Sequence, residues 1–389
     1  RDVAPNPACR ASAVRPAIAT PRDVTELHPG HLKYALAIGD SITAAAFSKG
    51  WPVEHREISW SGGGGGPRSY TMPYLAQQYG AGPLVGPARG RFQWPQTGPC
   101  CGKAPWWKMA QGYDNQLNAA LSGGSAGDWK LEVDHLTALV TGRGFGAAGR
   151  GGFPKWTQEQ QAHFRDSWKV MTIFLGMNDV LTSTDACSDD EGKRDALVSN
   201  YREHMAALLD YLVADKDGIF GKMYVNLVML FTTSFMGVQN AKRGWCKMSG
   251  RTLWKHEFPC MREGGDIEAK GAMLDNVTMR VNNVLVDLAA AYSQRRPDFG
   301  INLVQTWANQ QITHRDLRSP LDCFHPTAKA QRMLGTGLWN AMLEPSRPTA
   351  LDEMPTMPGC ADEHTRLVTY TRAAAGAAPP PPAARGAAA

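Results

Sequence analysis

Three short stretches of this sequence carry side chains suited to one chemistry: Ser41 in Gly39-Asp40-Ser41, Asn178 in Gly176-Met177-Asn178-Asp179, and the pair Asp322 and His325 in Asp322-Cys323-Phe324-His325. A serine hydroxyl is a poor nucleophile until a neighbouring base takes its proton, and a neutral histidine can do so near pH 7. A carboxylate on the other ring nitrogen holds the imidazole and stabilises the imidazolium that forms. A side-chain amide aimed at a carbonyl oxygen stabilises the negative charge that develops there. Taken singly, each stretch has a plainer reading: the serine as a helix cap, the asparagine as a turn former, the Asp-x-x-His as chance. Taken together they describe acyl transfer through a Ser41–His325–Asp322 triad, a reaction that requires no metal or organic cofactor.

What must position them is the set of apolar segments that run into them. Residues 34–38 lead straight into Ser41, residues 170–175 into Asn178, and residues 301–306 precede the Asp322/His325 stretch, with further candidates at 223–230 and, more weakly, 116–121. Several are continuous apolar runs, as expected of strands covered on both faces, and open α/β sheets bind ligands at the carboxyl ends of such strands. Helical spacing recurs at 198–213, through Val198, Tyr201, Met205, Leu208, Leu209 and Leu212, and at 277–292 and 327–343. The alternation predicts an α/β fold, a three-layer α/β/α sandwich around a mostly parallel sheet of about five strands. One domain over 25–345 is expected, between an extended segment 1–24 and a Pro/Ala-rich tail 346–389, with long loop insertions near 61–112 and 141–156. Trp94, Trp106 and Trp107 in the first insertion suit either an acyl cleft or loop packing.

The chain has 389 residues, 43% of them hydrophobic, enough for a substantial core. Its net charge of +5 is scattered along the chain, which argues against a nucleic-acid partner, and no apolar run approaches the ~20 residues of a transmembrane segment. The eight cysteines form no zinc-binding spacing, so disulfides in an oxidising compartment are expected. Cys246 and Cys260 bracket a short polar loop and are the first choice for a pair, the other connectivities staying open; Cys323 is expected in a disulfide or as a buried thiol. Asn276-Val277-Thr278 is an acceptor sequon for glycosylation along the secretory route. The chain begins at Arg1, as a mature protein does after signal-peptide removal, and a secreted or lumenal location is expected. His28, His31 and His314 lack partner motifs and read as surface or structural residues, while Asp40 and Asp179 read as braces of their turns.

In this order, each just beyond an apolar strand, the serine, asparagine and Asp–His blocks resemble the GDSL/SGNH hydrolase family. His28-Pro29-Gly30-His31-Leu32-Lys33, Ser59-Trp60-Ser61, Asp166-Ser167-Trp168-Lys169 and Leu338-Trp339-Asn340-Ala341-Met342-Leu343-Glu344-Pro345 look like its phospholipase B-like branch, the likeness covering roughly residues 25–345. The resemblance implies a flavodoxin-like fold and a secreted serine esterase or lipase, with an oxyanion hole formed by the Ser41 and Gly123 backbone N–H groups and the Asn178 amide. Two places compete for the glycine. The run Gly62–Gly66 is conspicuous, but Asn118-Ala119-Ala120-Leu121-Ser122-Gly123 has the Asn-x4-Gly pattern, so Gly123 is assigned and 62–66 is read as a flexible loop. Gly124 and Ser125 after that glycine, Ile42 in place of the usual Leu, and Ala45 where Gly is common depart from the family pattern. The implied substrates are acyl esters of phospholipids or lysophospholipids, at a membrane or micelle surface. A carbohydrate or aryl esterase on the same fold, or a non-catalytic secreted binding module, are the alternatives.

Overall fold

The computed structural model of the chain describes residues 6, 7, 9, 18–51, 53–79, 83–89, 116–142, 156–243, 257–262, 265–351, 353, 354 and 356–371. Its centre is a parallel sheet of β1 (Leu32–Gly39), β2 (Trp168–Phe174), β3 (Met223–Val228) and β4 (Phe299–Val304), hydrogen-bonded in that order. All four principal strand expectations are met, although β2, β3 and β4 end one or two residues before the apolar runs do. The weaker candidate at 116–121 forms no full strand. It follows the free side of β1 through three bonds, Ala37 N–H to the Leu117 carbonyl, Ala119 N–H to the Ala37 carbonyl and Leu121 N–H to the Gly39 carbonyl. The sheet is therefore four strands plus this edge segment, and the spatial order 117–121, β1, β2, β3, β4 is that of a doubly wound fold.

Every residue of β2, β3 and β4 is buried, so side chains alternating to the two faces both meet cover. Helix Ile267–Tyr292 packs against Glu191–Ala214 and Ser234–Arg243, and helix Ala328–Leu343 against Met72–Tyr79. Both long helices begin earlier than the apolar spacing alone suggests, because polar first turns follow aspartate caps: Asp190 accepts from Gly192 N–H and Asp266 from Ala269 N–H. The core is continuous across both faces, with Trp60, Trp339, Tyr201, Tyr224 and Phe174 among its largest wholly buried side chains.

Three expectations about loops and ends are corrected. The glycine run is not a slack loop: Gly63 N–H bonds the Ser59 carbonyl, Gly64 N–H that of Ala88 and Gly65 N–H that of Glu57. A β-carbon on Gly63 or Gly65 would come within 2.6 or 2.5 Å of the Glu57 carbonyl oxygen, so close backbone approach is what requires glycine here. Residues 346–371 are not a tail either. Leu351, Met354, Leu367 and Tyr370 are buried, and Leu367 and Tyr370 N–H bond the carbonyls of Leu27 and Ile301. The N-terminal segment is tied in as well, through a disulfide from Cys9 to Cys360 and the buried Val24. The third correction concerns Cys260, which pairs with Cys187 and not with Cys246, a residue outside the described ones. Cys323 is disulfide-bonded, as one of its two expected states.

Candidate active site

β1 ends at Gly39, and the chain turns sharply because Asp40 Oδ1 accepts Ile42 N–H at 2.8 Å while the Asp40 carbonyl accepts Ala44 N–H at 2.9 Å. Ser41 sits in that turn, 9% exposed. Ala45, where the family pattern favours glycine, takes a left-handed φ of 53°. The turn is bolted to the helix behind it by Gln331, whose amide N–H donates to the Ile42 carbonyl and whose oxygen accepts Trp60 N–H.

His325 arrives on a tight loop closed by Ser319 N–H to the His325 carbonyl and Cys323 N–H to the Ser319 carbonyl. Within it, Asp322 Oδ1 accepts the N–H groups of Phe324 and His325 at 3.0 and 3.1 Å, which leaves Oδ2 to face His325 Nδ1 in a short hydrogen bond. The other ring nitrogen, Nε2, lies 2.7 Å from Ser41 Oγ. Phe47 and Phe324 meet the imidazole edge to face at 4.8 and 4.9 Å, and both Asp322 and His325 are buried.

Asn178 lies in the first turn of the short helix Met177–Leu181 beyond β2, and its amide donates to the Gly124 carbonyl at 2.9 Å. Gly124 N–H in turn bonds the Leu121 carbonyl, and Leu121 N–H bonds the Gly39 carbonyl, so Gly123, with φ of 78°, lies on a loop strung between the ends of β1 and β2. Serine, histidine and aspartate are thus hydrogen-bonded in series, and Asn178 and the Gly123 loop are joined to each other.

A scan of protein families matches residues 36–338 to the GDSL-like lipase/acylhydrolases. The chain belongs to that family. Membrane-associated phospholipase B1 of human is 24% identical over 352 residues, covering 85% of this chain and 21% of that protein. The proteins of the same name from rat and mouse are 23% identical over 345 residues, with 85% and 20% covered. The chain spans about a fifth of the length of these relatives. By family it is an acyl-ester hydrolase.

Electrostatics in this GDSL-like site follow from dryness. Burial pulls the His325 imidazolium down, but Asp322, Glu257 and Asp40 outweigh it and leave its pKa above the ordinary histidine value. Burial pushes Asp40 up to about 7 and Asp179 to about 6, and drives Glu132 well above the carboxylate range. Asp40 braces its own turn as expected; Asp179 meets its own backbone N–H and also reaches across to accept Ala126 N–H on the opposite loop. His28 and His31 are structural: His28 Nδ1 accepts Gly30 N–H, and His31 Nδ1 accepts His28 N–H. Asn276 is exposed on the helix Ile267–Tyr292, while Thr278 of the same sequon is buried and bonds back to the Leu274 carbonyl.

Several contributors carry no sequence signal. Glu132, from the helix Trp129–Thr141, accepts Gly39 N–H at 2.6 Å. Arg56 pairs with Glu54 at 2.8 Å and donates to the carbonyls of Asn118 and Ala120, bracing the Gly123 loop. Glu257 brings a carboxylate whose oxygen lies, with ligating atoms of Asp322 and His325, in a group spanning no more than 4.8 Å. An ion there would have to compete for an Asp322 carboxylate already holding two backbone N–H groups and a ring nitrogen, and for an imidazole engaged at both nitrogens.

Proposed function

We propose that this domain is a serine ester hydrolase acting on phospholipids or lysophospholipids in an oxidising, secretory or extracellular compartment, with Ser41 as nucleophile, His325 as base and Asp322 as the partner of the imidazole. The observation that carries this reading is the series Ser41 Oγ, His325 Nε2, His325 Nδ1, Asp322 Oδ2, with 2.7 Å between the hydroxyl and the ring. In it the serine oxygen attacks the ester carbonyl as His325 takes the hydroxyl proton; the imidazolium then gives that proton to the departing alcohol. Water repeats the steps on the acyl-serine and releases the acid. The oxyanion would be met by the Ser41 and Gly123 N–H groups and the Asn178 amide.

The lipid assignment rests on the family and on relatives named phospholipase B1, and the compartment is supported by the disulfides. No helix among the described residues is long and apolar enough to cross a membrane. The test has two parts. A fluorophosphonate should label wild type and fail on Ser41→Ala, since a non-catalytic module would not react. Turnover should then be highest on lysophospholipids and phospholipids in a panel with acetylated sugars and aryl esters, and preferential hydrolysis of the sugars or aryl esters would replace the lipid reading.

A further inference from the structure

A carboxylate that the triad does not use stands beside it. Glu257 is half-buried, and the residues that follow it are held at several points. Phe258 is 1% exposed and meets Phe324, the residue preceding His325, at 5.7 Å. Cys260 is tied by its disulfide to Cys187, and its carbonyl accepts the Lys270 ammonium at 3.1 Å. This tethered segment brings the Glu257 carboxylate within 4.8 Å of ligating atoms of both His325 and Asp322.

We propose that Glu257 is a positioning residue for His325: a second acidic partner that stabilises the imidazolium formed as Ser41 loses its proton. This rests on the triad reading above. Asp322 has spent its oxygens on two backbone N–H groups and on Nδ1, and further charge for the imidazolium must come from another side chain. Among the described residues, the titratable groups that face Glu257 are His325, Asp322 and, from the end of β1, Asp40, and of these three His325 is the one that can become a cation. Burial pushes the Glu257 carboxyl up to about 7, and His325 opposes that rise. Glu257 and Asp40 in turn both add to the elevation of His325. The sign is then determined: deleting the negative charge makes the imidazolium harder to form, and His325 stays neutral to lower pH.

The experiment is the rate of Ser41 labelling by a fluorophosphonate, and kcat/KM on a soluble aryl ester, each measured against pH for wild type, Glu257→Gln, Glu257→Ala and Glu257→Asp. Both charge-deleting variants should move the acid limb to lower pH by about half a unit or more, and Glu257→Asp should return it toward wild type. The plateau rate should fall severalfold in the same two variants. A limb that stays in place in Glu257→Gln and Glu257→Ala overturns the proposal, whatever happens to the plateau, because a purely structural role lowers rate or stability without moving a titration. Failure of the underlying reading is separately visible: wild type would then resist the fluorophosphonate at every pH.

Discussion

Asn178 commits one donor to the Gly124 carbonyl, which turns its amide toward the loop carrying Gly123 and makes the side chain both a tie and a candidate oxyanion donor. The two roles separate in mutants. If the amide meets the developing charge, Asn178→Ala costs about 2.7–4 kcal/mol in the transition state, seen as lower kcat with KM little changed. Asn178→Asp then fares worse, because a carboxylate would oppose both the oxyanion and the Gly124 carbonyl. A turn former predicts the reverse order, since Asp supports such turns and Ala does not; kcat and thermal midpoint of both variants decide it. A second expectation concerns His325, which must be neutral to accept the serine proton. With its pKa raised by Asp322, Glu257 and Asp40 against the pull of burial, kcat/KM should fall on the acid side with an apparent pKa above about 6.5. A profile flat down to about pH 5 would point to another base.

Strands and loops supply the geometry that these residues exploit. The Gly123 loop owes its place to Arg56, which is 5% exposed and joined to Glu54 and to the carbonyls of Asn118 and Ala120. Arg56→Met should lower stability by about 3–5 kcal/mol, because Glu54 is left as an uncompensated buried charge. It should also reduce kcat by loosening Gly123. The double variant Glu54→Gln, Arg56→Met should recover part of the stability and little of the rate; urea midpoints with kcat measure both. A full recovery of rate would deny the brace any part in positioning. How far such elements were legible in the sequence depended on whether their signal was local. Continuous apolar runs ending in Ser41 and Asn178 announced β1 and β2, since strands buried on both faces need every side chain apolar or satisfied. The edge segment at 117–121 was faint because three bonds to β1 hold it without a strand's length. Glycines 62–66 looked slack because composition does not reveal that a carbonyl passes within contact distance. Glu257 was invisible, its approach to His325 depending on a disulfide partner 73 residues away and on Phe258 packing.

Across the whole molecule, buried acids give stability a pH dependence of definite sign. Asp179 and Glu132, away from the imidazole, have folded pKa values raised by burial, so between about pH 4 and 6 the folded chain holds protons that the unfolded chain releases. Their contribution is fully present below the unfolded carboxyl pKa and is lost as pH rises through the folded values. His135, pulled down to about 4 by burial, works in the opposite direction from pH 4 to 6.5. The clean readout is therefore a difference: Glu132→Gln should gain on wild type as pH rises from 5 to 7.5, by about 2 °C or more in thermal midpoint. A gap that does not change with pH would show that Glu132 is ionised in the fold. The bond from Cys9 to Cys360 has a consequence of another kind, in mechanics. It joins residues 351 positions apart, so once residues 361–371 have been peeled from Leu27 and Ile301, tension applied from outside the ring passes through one sulfur–sulfur bond and spares the strands within it. Pulled in a single-molecule trap, the oxidised protein should pay out only the residues outside the ring, on the order of 100 Å, while the fully reduced protein should pay out on the order of 1,000 Å of chain. A cut in an exposed loop between them would likewise leave one covalent particle, whose halves part only when a reductant opens the ring.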